Sequence, residues 1–581
     1  MNRRLVFNRL EEVNAGEDPV FTGAWCFDDF DLEKFQDFKY IWSDRKRLRK
    51  SHVLIFECYE KVLVQLSSEL NTLHEVNFPV KSWRILIGPW LYHFLAILFE
   101  RSSVLLSSFD TSEVFYCKIP NFDSNQFVPL DYSEFNQFFE SDEWNYFICS
   151  LVIKRISPQS VVETSETFER FPKPNLSVNA SLRYRLGTLL LRQLTKARGV
   201  FSKKLILVEC GLSVAETLRI LLRLRCYPFS FYFRQRIYRK HVDVEKRKRI
   251  GLQIDDEWLK PFGKILIDQI PISYVEGFGS LESLSDSFFP QHCSAVLTAT
   301  GYFSNEPFKF WMAKQHATSS LQIGVSVHGA HHGTALFNGP GDLTETIADR
   351  FFSWGWSNPW LPSVKLSRVL SERTKNRPSA DSDSVLYAFY DASVYSSYVD
   401  AAPISGDLVN YYSKGLTFLK CISDKGYASY FTIRSKRSSL AWHLEKVIAE
   451  IGPFQFSSNQ NESFKDAMKE SGLVIASYDS TIALEAIAAN YPCVLFIDES
   501  HWELSEKAKP IFAKLERCGV LIKDPEVLAE FVVQYFGSYR IWWESDEVQS
   551  AIRAYVDQFA RPSLDWQSVW VSELQKLVGK E

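Results

Sequence analysis

The stretch from Gly472 to Asp498, GLVIASYDSTIALEAIAANYPCVLFID, constrains the fold more than any other part of the chain. Leu473–Ala476 is a short, unbroken apolar run between turn residues, the pattern of a strand buried on both faces. Asp479, Ser480 and Thr481 then supply the side-chain oxygens that cap helix N-termini, and 482–489 reads as the helix they cap. Pro492 stops that helix and launches a second strand at 493–497. Strand, helix, strand is a βαβ unit, whose two strands run parallel in one sheet. A helix N-terminus at the carboxyl end of such a strand turns backbone N–H groups and a positive dipole end toward any anion there. Read alone, Ser480 and Thr481 either bind an anion or only cap a structural helix.

The alternation extends upstream. Strands are expected at 204–209, 295–298, 321–327 and 350–354, with helices at 214–226 and 306–317. After a polar stretch without apolar period, RTKNRPSADSDS at 373–384, a second series follows. It has strands at 385–390, 428–433 and 454–456, and helices at 408–423 and 441–451. The expected fold class is therefore α/β, with two Rossmann-like domains at 201–372 and 385–540 joined by the linker 373–384. Helices at 506–518, 525–536 and 548–559 finish the chain, the region 541–581 being helical. Residues 1–200 read as a mostly helical, aromatic-rich region, including helices at 58–73, 90–101 and 181–198.

At 581 residues the chain exceeds one ordinary core. A net charge of −4 points to neither nucleic acid nor an acidic surface as the bulk partner. Ten Cys without a CxxC pair fit a reducing cytoplasm, and the N-terminus lacks the apolar core of a secretory signal. The run ILIGPWLYHFLAILF at 85–99 is shorter than the roughly 20 residues a membrane span needs, so a buried core helix is expected there. Sixteen Trp suggest apolar surfaces for sugars or partner chains. The basic segment RQRIYRKHVDVEKRKR at 234–249 is either a solvated helix or a docking surface for anionic lipid headgroups or a lipid-pyrophosphate acceptor.

In two facing doubly wound domains, ligands bind between the carboxyl ends of the strands. Arg434 and Lys436 follow one expected strand and offer positive charge to a phosphate, with Ser480 and Thr481 as hydroxyl and backbone donors. Glu485, one helical turn beyond Thr481, can accept from ribose hydroxyls or stand as a surface carboxylate. The expected strand at 321–327 runs into His328-Gly329-Ala330-His331-His332-Gly333. His328 and His332 have the spacing of a zincin pair, but the glycines oppose a helix and the motif's Glu is missing, so no metal site is expected. A His there can instead act as general acid or base, or donate to a leaving phosphate. Glu345 and Asp349 are alternatives for a base, or surface acids. The chain has no GxxxxGK[ST], GxGxxG after a strand, or GxSxG, which argues against a P-loop ATPase, a nicotinamide dehydrogenase and an α/β hydrolase.

Trp83-Arg84-Ile85-Leu86-Ile87-Gly88-Pro89-Trp90-Leu91, ahead of Glu100-Arg101, resembles the WRILLGPWL…DR signature of transferases encoded in bacterial O-antigen and surface-polysaccharide gene clusters. The resemblance spans nearly the whole chain. Gly23-Ala24-Trp25-Cys26 is similar to GEWC, Trp42-Ser43-Asp44-Arg45 to W-x-D-R, and Leu70-Asn71 to an LN pair. Ser353-Trp354-Gly355-Trp356 is similar to TWGW, Trp542-Trp543 to a late WW, and Ser480-Thr481, Glu485, Ala486 and Asn490-Tyr491-Pro492 to ST…EAlaaNiP. QHGGxYG reads here as VHGAHHG: Val327 replaces the Gln and Ala330 and His332 replace a Gly and a Tyr, whereas His328 and Gly329 match. The resemblance implies a GT-B-like glycosyltransferase, with an acceptor-side domain followed by a nucleotide-sugar domain. It would act without metal or cofactor in the cytoplasm, possessing a peripheral contact with the inner membrane and a lipid-linked or glycan acceptor. Arg434, Lys436, Ser480, Thr481, Glu485 and Gly329 would then hold the donor, and His328, Glu345 or Asp349 would serve the chemistry. CMP-linked acidic sugars are one donor class among several. The alternatives are a catalytically silent scaffold of polysaccharide assembly, or an epimerase or phosphotransferase on the same fold.

Overall fold

The computed structural model describes residues 3–109, 114–172, 205–212, 214–224, 238–356, 363–365, 383–396, 398–437, 441–442, 444–457, 464–561 and 565–579. Three sheets, parallel throughout, organise them. The first Rossmann-like sheet runs in the order β5-β6-β7-β8-β9. Its strands are β5 (Leu205–Val208), β6 (Ala295–Thr298), β7 (Gln322–Ser326), β8 (Arg350–Ser353) and β9 (Ser363–Lys365). The second has the order β12-β11-β10-β13-β14-β15. Its strands are β10 (Val385–Asp391), β11 (Phe431–Arg437), β12 (Gln455–Phe456), β13 (Leu473–Ala476), β14 (Cys493–Phe496) and β15 (Leu521–Ile522). LILV, AVLT, LVIA and CVLF are buried along their whole length, which is why they carry no polar alternation. The second sheet winds outward first on one side of β10 and then on the other. That reversal puts a crevice outside the carboxyl ends of β10 and β13, where doubly wound sheets bind ligands. The expected α/β fold with two Rossmann-like domains is thus present.

The N-terminal region is mostly helical, as expected, and also holds strands not anticipated from the sequence. It contains a third sheet, in the order β2-β1-β3-β4, from β1 (Arg3–Val6), β2 (Pro19–Phe21), β3 (Phe115–Asn121) and β4 (Val161–Thr167). Of these, Phe115–Asn121 alternates buried Phe115, Cys117 and Ile119 with half-buried residues, whereas the other three are too short or too polar to show a clear period of two. Three long helices pack on one another in this unit: α1 (Arg45–His74), α2 (Val80–Phe109) and α3 (Asp142–Ile156). The helix α2 begins at Val80, ten residues ahead of the start expected at 90, and runs unbroken through Pro89. It is long and apolar enough to cross a membrane, yet 89% of its most apolar window is buried inside the protein, as the core-helix reading anticipated. At Gly88 a Cβ would come within 2.7 Å of the Tyr59 hydroxyl, so glycine sets how closely α1 approaches α2. The tryptophans, expected at ligand or partner surfaces, are almost all core residues, as with Trp42, Trp83, Trp90 and Trp144 at full burial.

Further helices flank the two large sheets: α4 (Val214–Arg223), α5 (Glu306–Ser319), α6 (Gly339–Glu345), α7 (Leu408–Asp424), α8 (Thr481–Ala488), α9 (Asp546–Phe559) and α10 (Trp566–Leu577). The C-terminal helices do not form a unit of their own. While α9 packs on α8, α10 crosses back to the first sheet, where Trp570 stacks on Phe352 at 5.7 Å and Leu574 and Leu577 join Leu205 and Leu297. In the basic segment, Arg247 is buried against Glu276 at 2.7 Å, and among its described residues only Val244–Lys248 is helical. That half of the segment anchors rather than floats. The expected helix at 181–198 and residues 373–382 of the expected linker lie outside the described residues.

Backbone hydrogen bonds stitch the two large domains together at one place. The Leu336 N–H donates to the Glu503 carbonyl at 2.8 Å, and the Ser505 N–H donates to the Thr334 carbonyl at 2.8 Å. Beside them Ala401 N–H donates to Phe337 at 3.2 Å and Gly339 N–H to Val399 at 3.2 Å.

Candidate active site

The seam just described begins with the histidine loop. Strand β7 ends at Ser326, and Val327 still pairs with β8 through Phe352 before the chain turns into His328. His328 is exposed at that carboxyl end, and a Cβ placed on Gly329 would meet nothing within 4 Å. The loop's mouth is therefore open. Deeper in, its histidines diverge. His332 Nε2 lies 2.8 Å from Glu345 on α6, with its ring against Phe351 of its own domain. His331 points the other way, across the seam.

His331 Nδ1 is 3.2 Å from Asp479 Oδ2, and its Nε2 is 3.2 Å from Asp400 Oδ1. Asp479 sits between β13 and the first turn of α8, and Asp400 in the loop that follows β10. Both carboxylates thus hang at the crevice of the second sheet. The Thr334 hydroxyl donates to Asp479, and Asn338 Nδ2 to Asp400 at 3.1 Å. Trp502 covers the imidazole edge-on at 5.4 Å. Burial alone would depress this imidazole, but the charge of Asp400, then of Asp479, overrides it and lifts His331 to about 10. Two carboxylates at opposite ring edges bridge through the imidazolium instead of converging on one point. Among the described residues no group of three or more His, Cys, Asp and Glu could hold a metal ion.

Opposite the loop, the anticipated cap is in place. Ser480 is the extended N-cap of α8 and accepts from the Ala483 N–H at 3.5 Å. Thr481 opens the helix half-buried, and Glu485 lies one turn on, also half-buried. Burial pushes the Tyr478 phenol up to about 12 against the opposing pull of Ser480 and of the Arg434 charge, which puts Arg434 beside the cap. Strand β11 is longer than expected, so Arg434 and Lys436 lie inside it, in register with Ala388 and Tyr390 of β10. The Lys436 side chain is outside the described residues.

Two of the three candidate bases are committed elsewhere. Asp349 lies at the amino end of β8: it accepts from the Ile323 N–H at 2.8 Å and pairs with Lys81 at 2.5 Å. Strand β7 then separates it from His328 by roughly 15 Å, given about 3.3 Å per residue. The assignment of Asp349 as a base is therefore corrected: it ties α2 to the first sheet. Glu345 is engaged by His332. What the structure brings together is the histidine loop and the segment that caps α8, joined by the bridge of His331 with Asp400 and Asp479. That bridge was missed. The polar signal of Asp479 was legible as a cap, but its partner is 148 positions away in sequence.

A family model described as "LIC12162 family transferase" matches residues 3–574. No curated protein matches the chain. Among solved structures, the chain is similar to MurG from Acinetobacter baumannii at 12% identity and a TM-score of 0.32, over 64% of this chain and 100% of that one. The wall teichoic acid polymerase TagF is similar at 11% identity and a TM-score of 0.30, over 69% of this chain and 95% of that one. The trehalose-6-phosphate synthase OtsA is similar at 10% identity and a TM-score of 0.33, over 64% and 99%.

Proposed function

The chain belongs to the LIC12162 family of transferases, and from that premise we propose that it moves a sugar from a nucleotide-sugar donor to a surface-polysaccharide, O-antigen-like acceptor. The observation that carries this reading is the contact of His331, from the first domain, with Asp479, one residue ahead of the Ser480 cap in the second. It brings the carboxyl ends of two parallel sheets to a common cleft, open at His328 and Gly329. The donor phosphates rest at the start of α8, on the Thr481 and Ala483 side of the cap, with Arg434 and Lys436 adding positive charge. Glu485 accepts from ribose or sugar hydroxyls. As the glycosidic bond breaks, negative charge grows on the departing nucleotide, and the fixed cations and helix dipole stabilise it without a metal ion. His328, facing from the first domain, donates to the leaving phosphate or takes the acceptor proton. The acceptor is lipid-linked or a growing glycan, met in the cytoplasm at the inner face of the membrane.

A thermal-shift panel of CMP-, UDP-, GDP- and dTDP-sugars tests the reading. One nucleotide raises the melting temperature, since a ligand at a hundred times its Kd stabilises by about 2.7 kcal/mol. The same nucleotide does nothing to the Ser480→Ala/Thr481→Ala protein, which remains folded. Product analysis with that donor shows a lengthened acceptor. A scaffold protein answers none of the nucleotides, and an epimerase or phosphotransferase leaves the acceptor its original length.

A further inference from the structure

The proposed transfer step makes no use of His331, although that side chain has the most specific surroundings in the cleft. Its two ring nitrogens each face a carboxylate at 3.2 Å, Asp479 from Nδ1 and Asp400 from Nε2. A neutral imidazole has one N–H and could serve only one of them. Acceptors at both edges call for the doubly protonated ring. Every other polar neighbour is matched to that state. Thr334 donates to the same Asp479 oxygen, while Asn338 and the Ala401 N–H donate to Asp400, the latter at 2.8 Å. Trp502 closes the remaining side.

Asp479 depends on this arrangement. Its other oxygen, Oδ1, is buried with no hydrogen-bond partner, so His331 and Thr334, both reaching from the first domain, orient the carboxylate through Oδ2 alone. The next residue is the Ser480 cap. A rotation of Asp479 would therefore turn the first backbone groups of α8.

We propose that His331 is a positioning residue, an imidazolium clamp that holds Asp479 and Asp400 across the domain seam and so fixes the head of α8 where the donor phosphates bind. This rests on the donor site proposed above. With both nitrogens occupied, His331 has no free position from which to exchange protons with substrate, which separates its role from that of exposed His328. The charge that Asp400 and Asp479 confer on it persists through neutral pH.

The test compares full-length wild type with His331→Gln, which removes the charge, and His331→Arg, which keeps a cation with donors on two sides. Using the nucleotide sugar that stabilises wild type, His331→Gln raises KM by about tenfold or more and leaves kcat within about threefold, because it loosens placement of the donor, not the chemistry. His331→Arg recovers most of the lost KM. A fall in kcat at unchanged KM overturns the proposal, as does an Arg variant no better than Gln when both are folded. Should His331→Gln fail to fold, Asp400→Asn weakens the same clamp, and an unchanged KM there overturns the proposal too. If none of the nucleotides binds wild type, the donor reading fails, and the clamp is judged separately by ring ¹⁵N shifts and amide exchange. Two protonated ring nitrogens at pH 8, with Leu336 and Ala401 amides exchanging faster in His331→Gln than in His331→Arg, support it. A ring that titrates near its ordinary 6.5 refutes it.

Discussion

Replacing Lys309 by Met tests how the N-terminal unit is fastened to the first large domain. Lys309 and Glu306, one turn apart on α5, are fully buried, at 0% and 2% side-chain exposure. Lys309 Nζ donates to Glu306 at 2.9 Å and to the Tyr274 hydroxyl at 2.7 Å, and that hydroxyl lies 2.9 Å from each Glu306 oxygen. The Tyr132 N–H adds a bond from the N-terminal unit at 3.3 Å. Burial lowers the Lys309 ammonium despite Glu306, so the pair is strained between desolvation and attraction. At 2.9 Å and an effective dielectric near 20 the attraction is about 6 kcal/mol. Taking both charges out of water offsets most of that, so the intact pair adds little to stability. Removing one partner is different. Lys309→Met leaves a buried carboxylate uncompensated, which destabilises by about 3–5 kcal/mol. The double variant Lys309→Met/Glu306→Gln removes the orphan charge and returns to within about 2 kcal/mol of wild type. Equilibrium urea unfolding reads the difference, with Trp311 on the same helix as an internal fluorophore. A single variant within about 1 kcal/mol of wild type, or a double variant no better than the single, would falsify the reasoning.

Three further outcomes follow from the same geometry. The imidazolium of His331 has a folded-state value raised to about 10, so its contribution to stability is complete below about pH 6.5 and is lost as pH climbs through 10. The stability gap between wild type and His331→Gln should therefore shrink by about 1.4 kcal/mol per pH unit across that window, and a gap that stays flat would contradict the clamp. Gly355 has φ +149° and a Cβ there would sit 2.5 Å from the Gln558 carbonyl, so Gly355→Ala should destabilise by about 1–3 kcal/mol and speed proteolytic loss of the C-terminal helix. Ser480→Ala alone should lower stability by only about 1 kcal/mol, as a lost N-cap does, and unfolding curves separate that from any loss of nucleotide binding.

The two large sheets were readable because their strands are buried on both faces and bounded by turn residues. Ala295–Thr298 and Leu473–Ala476 fall where the apolar runs are, and Ser480 caps α8 as its side chain suggested. The N-terminal sheet was not readable, since strands such as Pro19–Phe21 and VVETSET contain too little apolar alternation to outweigh the long helices between them. Asp349 precedes the strand expected at 350–354, and in a parallel sheet the amino end of that strand lies opposite the carboxyl end from which His328 follows. What the sequence did not show are its partners there, Lys81 and the Ile323 N–H. The clamp of His331 with Asp400 and Asp479 is a contact among three distant segments, and no local pattern encodes it.

The residues that carried the resemblance mostly frame the cleft and do not line it. Trp42 donates to Ser51 at 3.0 Å, Asp44 caps α1, Trp83 donates to Asn71 at 2.9 Å, and Trp543 to Asn490 at 2.9 Å. Two of them reach further. Arg45, next to the Asp44 cap, pairs with Glu503 at 2.9 Å and Asp407 at 3.5 Å. Arg101, buried with Glu100, donates to Asn145 and to the Ser396 carbonyl at 3.1 Å. Ser396 and Asp407 flank the loop that carries Asp400, and the Glu503 carbonyl accepts the Leu336 N–H just beyond the histidine loop. The N-terminal unit thus braces, from behind, the segments on which His331 and its carboxylates depend. Buried arginines with several hydrogen-bond partners suit that task, because each fixes two or three backbone positions at once. The high density of aromatic residues in this unit has the same explanation. It is the packed core of a buttress, and a rigid cleft requires one wherever two domains meet along so narrow a seam.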